Sequence, residues 1–147
     1  MASSSGGTMA LIMVLILLMV FGTMIAKSRA NYSDNNPLLD QVRANFTKID
    51  PKYAKIPLHE GDSAYTEDKQ VITLCLVDPE TKRNYDINTI MYVALHELGH
   101  VITPEGKEEH GPEFKENFSK LLKTGAKLGI YNPKKPIPAS YCSVKAK

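Results

Sequence analysis

The sequence predicts a small α+β domain, with a buried helix packed on a short sheet and further helices around it, behind one N-terminal transmembrane helix. Three observations predict it. Residues 1–26 carry no charged side chain, and 9–26 read as an apolar run. Residues 64–77 hold two segments of strand-forming side chains, and apolar residues recur at helical spacing over 37–49, 87–103 and 112–124. The chain has 147 residues, 43% hydrophobic and 23% charged, which is ordinary for a globular protein and excludes a wholly disordered one. Two cysteines, Cys75 and Cys142, are too few for a disulfide framework and allow one bridge or two free thiols.

After a polar start over residues 1–8, the apolar run 9–26 gives about 27 Å of helix, close to the roughly 30 Å of a hydrocarbon core. No positive charge precedes it, so a retained signal anchor is favoured over a signal peptide. The alternative is secretion after cleavage near Ala30, where Ser28 and Ala30 occupy small-residue positions. Lys27 and Arg29 follow the span, and the positive-inside bias places the rest of a single-pass chain on the cytoplasmic side. Sequons at Asn31, Asn45 and Asn117 matter only in the opposite topology and read as chance occurrences.

Residues 27–36 form a flank and linker before a domain over 37–130. Asn36 and Pro37 mark an N-cap and first helical position, and Leu38, Leu39, Val42, Phe46 and Ile49 continue the helix until Pro51. Residues 51–62, with two prolines and a glycine, read as a connection. Ala64–Thr66 and Gln70–Val77 favour strands joined by a turn at 67–69, the second strand apolar enough to be covered on both faces. Asp86 or Asn88 then caps a helix to about Thr103. Gly111 and Pro112 open another that ends near Thr124, with Gly125 as its C-cap.

Charge narrows the partner classes. The net +2 equals the contribution of Lys27 and Arg29, so everything from residue 31 onward is formally neutral. It divides into −6 over 31–110 and +6 over 111–147. The domain as a whole has no nucleic-acid footprint. The basic end over 111–147, which includes a basic tail over 131–147, could touch DNA or anionic lipid, but Lys120, Lys123 and Lys127 lie opposite Phe114, Phe118 and Leu121, as on a solvated helix face.

The chemistry lies in the buried helix, at His96-Glu97-Leu98-Gly99-His100. Histidines four apart are separated by about 40° around a helix and about 6 Å along it, so both imidazoles can share one metal ion. Glu97 lies about 100° round from His96, suited to act as a general base on water rather than as a third ligand. A Glu and two His on an apolar helix are expensive to bury without a partner, and a metal supplies one. A catalytic zinc needs a third protein ligand and an open position. Thr103 and Gly106 stand where a metzincin has glycine and histidine. His110, just before the Gly-Pro helix start, is the favoured third ligand, with Glu113 and Glu116 as rivals. His59, in the proline-rich connection, reads as solvated. Tyr92, Tyr131 and Tyr141 are candidates to assist an oxyanion, and the sequence does not choose among them.

HELGH followed by EHGPEF, with Phe114 and Phe118 on a continuing helix, resembles the SprT-like and WLM zinc metallopeptidases, a group that includes the Spartan-type DNA–protein crosslink proteases. The resemblance covers roughly residues 64–130. It implies a small zincin-like metallopeptidase domain, His96, His100 and His110 as zinc ligands, and Glu97 as the catalytic residue. No Cys-rich ribbon follows His110 in this sequence.

The expected function is therefore a membrane-anchored, zinc-dependent metallopeptidase with one zinc ion per chain, a peptide or protein substrate, and a membrane partner through the N-terminal helix. Two other readings use the same residues: a membrane-anchored binding protein with a purely structural metal site, and a protease acting on DNA-bound proteins.

Overall fold

A computed structural model describes residues 5–30, 34–142 and 144–145. The chain divides into two units, Met1–Tyr32 and Ser33–Lys147.

The first unit is a helix, α1 (Ser5–Ala30), with exposed apolar side chains from Met9 to Phe21. Among the described residues no helix is long and apolar enough to cross a membrane. The expected transmembrane helix over 9–26 and the single-pass localisation are corrected accordingly. Residues 1–4 of the polar start, the Asn31 sequon and the bond following Ala30 into 31–33 lie outside the described residues.

The second unit is α+β. Its first helix, α2 (Pro37–Ile49), starts where the Asn36 side chain accepts from the Leu38 N–H at 2.9 Å, and it buries Leu39, Val42 and Phe46. The 51–62 connection contains a 3-10 turn (Pro51–Lys55) and a strand, β1 (Leu58–Glu60). With β2 (Tyr65–Glu67) and β3 (Val71–Leu74) it forms a sheet of order β1-β3-β2, β1 parallel and β2 antiparallel to β3. β3 is central and buries Ile72, Thr73 and Leu74, while β2 lies at the edge. Asp68 and Lys69 both adopt left-handed φ, 48° and 53°, at the centre of the three-residue β2–β3 turn, which the Gln70 N–H closes by donating to the Glu67 carbonyl. That conformation matches the twist of a hairpin and is strained for lysine. The Lys69 ammonium holds it there by donating to the carbonyls of Thr103 and, at 3.1 Å, Pro104, which ties the hairpin to the end of the next helix.

That helix is α3 (Ile87–Ile102), capped by Asp86 and buried along Ile90, Met91, Ala94, Leu95 and Leu98. It packs against the sheet and against α4 (Pro112–Lys127). Gly125 does not end α4. A Cβ there would lie 3.1 Å from Leu95 Cδ1, so its role is close packing on α3, and the left-handed residue after the helix is Gly129 at φ 70°. Of the two remaining sequons, Asn45 is buried on α2 and Asn117 donates to Thr103 Oγ1 at 3.1 Å.

The chain after α4 returns to the domain. Buried Asn88 grips Asn132 twice, accepting from its N–H at 2.6 Å and donating to its carbonyl at 3.2 Å. Beyond it, β4 (Ser140–Tyr141) and β5 (Val144–Lys145) pair antiparallel. The Tyr141 hydroxyl donates to the Cys75 carbonyl, the Cys142 N–H donates to Tyr85 Oη at 3.1 Å, and a disulfide joins Cys75 to Cys142.

Candidate metal centre

His96, Glu97 and His100 stand on the last two turns of α3. The helix ends at Thr103, whose N–H and hydroxyl both donate to the Gly99 carbonyl, the hydroxyl at 2.7 Å. The chain then loops back to deliver His110 immediately before α4. Gly111 allows the tight return, since a Cβ there would lie 2.8 Å from Glu108 Cβ.

The three histidines meet. His96 Nε2 lies 3.3 Å from His100 Nε2 and 3.3 Å from His110 Nε2. A tetrahedral site with Zn–N bonds of about 2.0–2.1 Å has nitrogen–nitrogen edges of about 3.3 Å, which these two separations match. Phe114 is the platform beneath it. Its ring stacks on His100 at 4.3 Å between centroids and meets His96 and His110 edge-on at 4.9 Å. Gly99 lets α4 bring that ring in, since a Cβ would stand 3.0 Å from Phe114 Cε2. The rival ligands are engaged elsewhere: Glu113 pairs with Lys107 at 2.9 Å and Glu116 with Lys120 at 2.6 Å. His59 lies on β1 and pairs with Asp34 at 3.3 Å.

Burial, and then the charges of His100 and His110, push the His96 imidazole down to about 4. His100 is also lowered, chiefly by burial. Both rings therefore remain neutral near pH 7, as metal ligands must be. Glu97 is 5% exposed, and burial pushes its carboxyl up to about 7 against the opposing hydrogen bond from Thr66. Thr66 Oγ1 on β2 lies 2.8 Å from Glu97 Oε2 and 3.0 Å from the Glu97 carbonyl oxygen.

The site opens into a cleft of about 1020 Å³. One wall is α3, from Val93 through His96, Glu97 and His100 to Thr103, and another is Ala64–Thr66 with the Asp68–Lys69 turn. Glu105–His110 and Ile137, Pro138 and Tyr141 complete it. Of the three tyrosines, Tyr92 lines the cleft and packs on Phe118 and Tyr131 at 5.4 and 5.9 Å, while Tyr141 lines it with its hydroxyl bonded to backbone. Sequence reasoning missed Thr66, Lys69 and the 131–142 wall. Their partners lie more than thirty residues away, and no local pattern signals such contacts.

Comparison with known proteins adds relatives without assigned roles. The chain is 37% identical over 92 residues to uncharacterized protein 042R of Invertebrate iridescent virus 3, covering 63% of this chain and 57% of that protein. It is 36% identical over 91 residues to uncharacterized protein 136R of Invertebrate iridescent virus 6, covering 60% and 50%. Uncharacterized protein R325 of Acanthamoeba polyphaga mimivirus is 33% identical over 115 residues, covering 77% and 57%. The chain thus spans about half the length of the curated relatives it matches. No family model matches it, and no solved structure matches it.

Proposed function

We propose that the chain is a zinc-dependent peptidase, with His96, His100 and His110 as the ligands and Glu97 as the general base. The supporting observation is the convergence of three imidazole nitrogens beside a buried carboxylate in an open cleft. When bound, the ion would supply a Lewis acid that brings the pKa of water toward about 7 and polarises a carbonyl. Glu97 takes the proton of the attacking water on its carboxylate and passes it to the departing amine. Thr66 keeps that carboxylate in place, and Phe114 keeps the three rings in register. The HELGH and HGPEF segments carry the accompanying proposal of kinship with the SprT-like and WLM metallopeptidases.

Metal analysis of the purified chain is expected to give about one zinc per chain. Digestion of a peptide library should show cleavage by the natural chain, and a loss of roughly a hundredfold or more in Glu97→Gln with zinc retained. A zinc-free protein or full activity in that variant overturns the reading. A chain that chelation unfolds but that cuts no peptide has a structural metal only.

A further inference from the structure

The cleft changes character along α3. Val93 and Thr103, ten residues apart, are about 15 Å apart along the helix axis, with the histidines between them. At the Thr103 end the lining is polar, with Lys69, Glu105, Lys107, Glu108 and Glu109. At the Val93 end Ala64 and Val93 pack with Tyr141, and Ile137 and Pro138, four and three residues before Tyr141 in the chain, add apolar lining to the cleft, beside the rings of Tyr65 and Tyr92. Ala64 and Val93 pack directly on the Cys75–Tyr141–Cys142 cluster, which fixes where the C-terminal segment closes the cleft. Ile137 is half-buried and Pro138 exposed, so this apolar wall faces the opening. The Tyr141 hydroxyl is spent on the Cys75 carbonyl and offers no polar handle there.

This wall is anchored on both sides. Asn88 holds Asn132 at its start, and the disulfide and the Tyr85 hydroxyl hold Cys142 at its end. Val93 lies one turn, about 5 Å, from His96 and Glu97. Successive residues of an extended peptide are about 3.3 Å apart, so the side chain next to a bond held at the histidines reaches this pocket.

On the peptidase reading, we propose that the Val93 end of the cleft is a subsite for a bulky apolar side chain flanking the scissile bond, with Ile137 and Pro138 determining specificity. A polar side chain seated there would lose its water without gaining partners. The substrate class is thus peptides carrying residues of the Leu, Met or Phe type beside the cleaved bond.

The test uses the zinc-loaded full chain and peptides that differ only at that residue, Leu or Phe against Ser or Asp. Two readouts are compared: kcat/KM for the natural chain, and binding to Glu97→Gln by fluorescence anisotropy. Both should favour the apolar peptides by about tenfold or more. Ile137→Asp, with zinc content and thermal midpoint checked, should reduce the preference to within about threefold, and Pro138→Ser should weaken it. Equal affinities across the peptides overturn the subsite, as does a preference that survives both substitutions. If the natural chain cuts nothing while Glu97→Gln still discriminates, the peptidase reading fails and the Val93 end stands only as an apolar peptide-binding pocket. If cleavage proceeds without preference, the reverse holds.

Discussion

Thr66 carries more of the site than its place on a short edge strand suggests. Its one hydroxyl proton faces two acceptors on the same residue, Glu97 Oε2 and the Glu97 carbonyl oxygen. Donation to the carboxylate fixes its rotamer and supports the ionised form against burial. Valine at this position keeps the branched shape and removes the donor, which leaves a buried carboxylate short of a partner worth about 1–3 kcal/mol. Thr66→Val is therefore expected to lower kcat about tenfold or more with KM and zinc content little changed, and Thr66→Ser to restore it. An unchanged kcat in the valine variant would end the positioning role. The contrast with His96 and His100 explains what was legible. Their convergence follows from helix geometry alone, so spacing reveals it, and His110 is flagged by the glycine and proline that stiffen its turn. Thr66 reaches a residue 31 positions away, and a threonine in a strand looks the same whether or not it does so.

At the scale of elements, α3 depends on its two ends. Asp86 accepts from the Asn88 N–H at 3.0 Å and from the Thr89 hydroxyl at 2.5 Å, and the Thr89 bond foremost holds its carboxyl below the ordinary 3.8. Asp86→Ala should destabilise the domain by about 1 kcal/mol in urea unfolding near pH 7. Because the folded-state value is the lower one, the stabilisation is present above about pH 4 and is lost as pH falls through the folded value. The variant should lack that part of the acid slope, and an unchanged slope would remove Asp86 as its source. At the other end, Gly99→Ala gains about 1 kcal/mol of helix propensity but drives a methyl group against Phe114, an overpacking cost of about 1–3 kcal/mol. Zinc affinity, measured by titration, should fall, because the displaced ring touches all three histidines; affinity equal to that of the natural chain would show that Phe114 can yield. Caps and periodicity made α2, α3 and the start of α4 readable. β1 was not readable, because three residues show no period and its parallel partner is reached only through the hairpin. Gly125 was misread because a glycine near a helix end looks alike whether it caps the helix or admits a leucine. The anchor over 9–26 was read from apolar composition, whereas among the described residues no helix is long and apolar enough to cross a membrane.

At the scale of the folded unit, the disulfide and the proposed metal centre rest on different parts of the chain. Cys75 and Cys142 are 67 residues apart, and the loop they close contains α3, α4 and the wall over 131–142. Closing such a loop in the unfolded chain is worth about 4 kcal/mol at most, and less where the unfolded state keeps structure. The histidines do not need it. They are set by α3, by the Gly111–Pro112 start of α4 and by the Phe114 platform, which hold them through contacts of their own inside that loop. The wall does need it, because Ile137 and Pro138 lie between the ties at Asn132 and Cys142, and removing one tie lets them swing. Cys142→Ser is accordingly expected to destabilise the domain by about 2–4 kcal/mol in thermal or urea unfolding, to leave zinc affinity within about twofold, and to erase the apolar preference much as Ile137→Asp does. Loss of zinc affinity together with the preference would mean that the centre and the wall unfold as one. A preference that persists would assign the wall's position to Asn88 and Tyr85 instead. Only the expected pattern, selectivity lost with the centre intact, separates a chain that binds its metal through α3 and α4 from one that chooses its substrate with the segment that follows them.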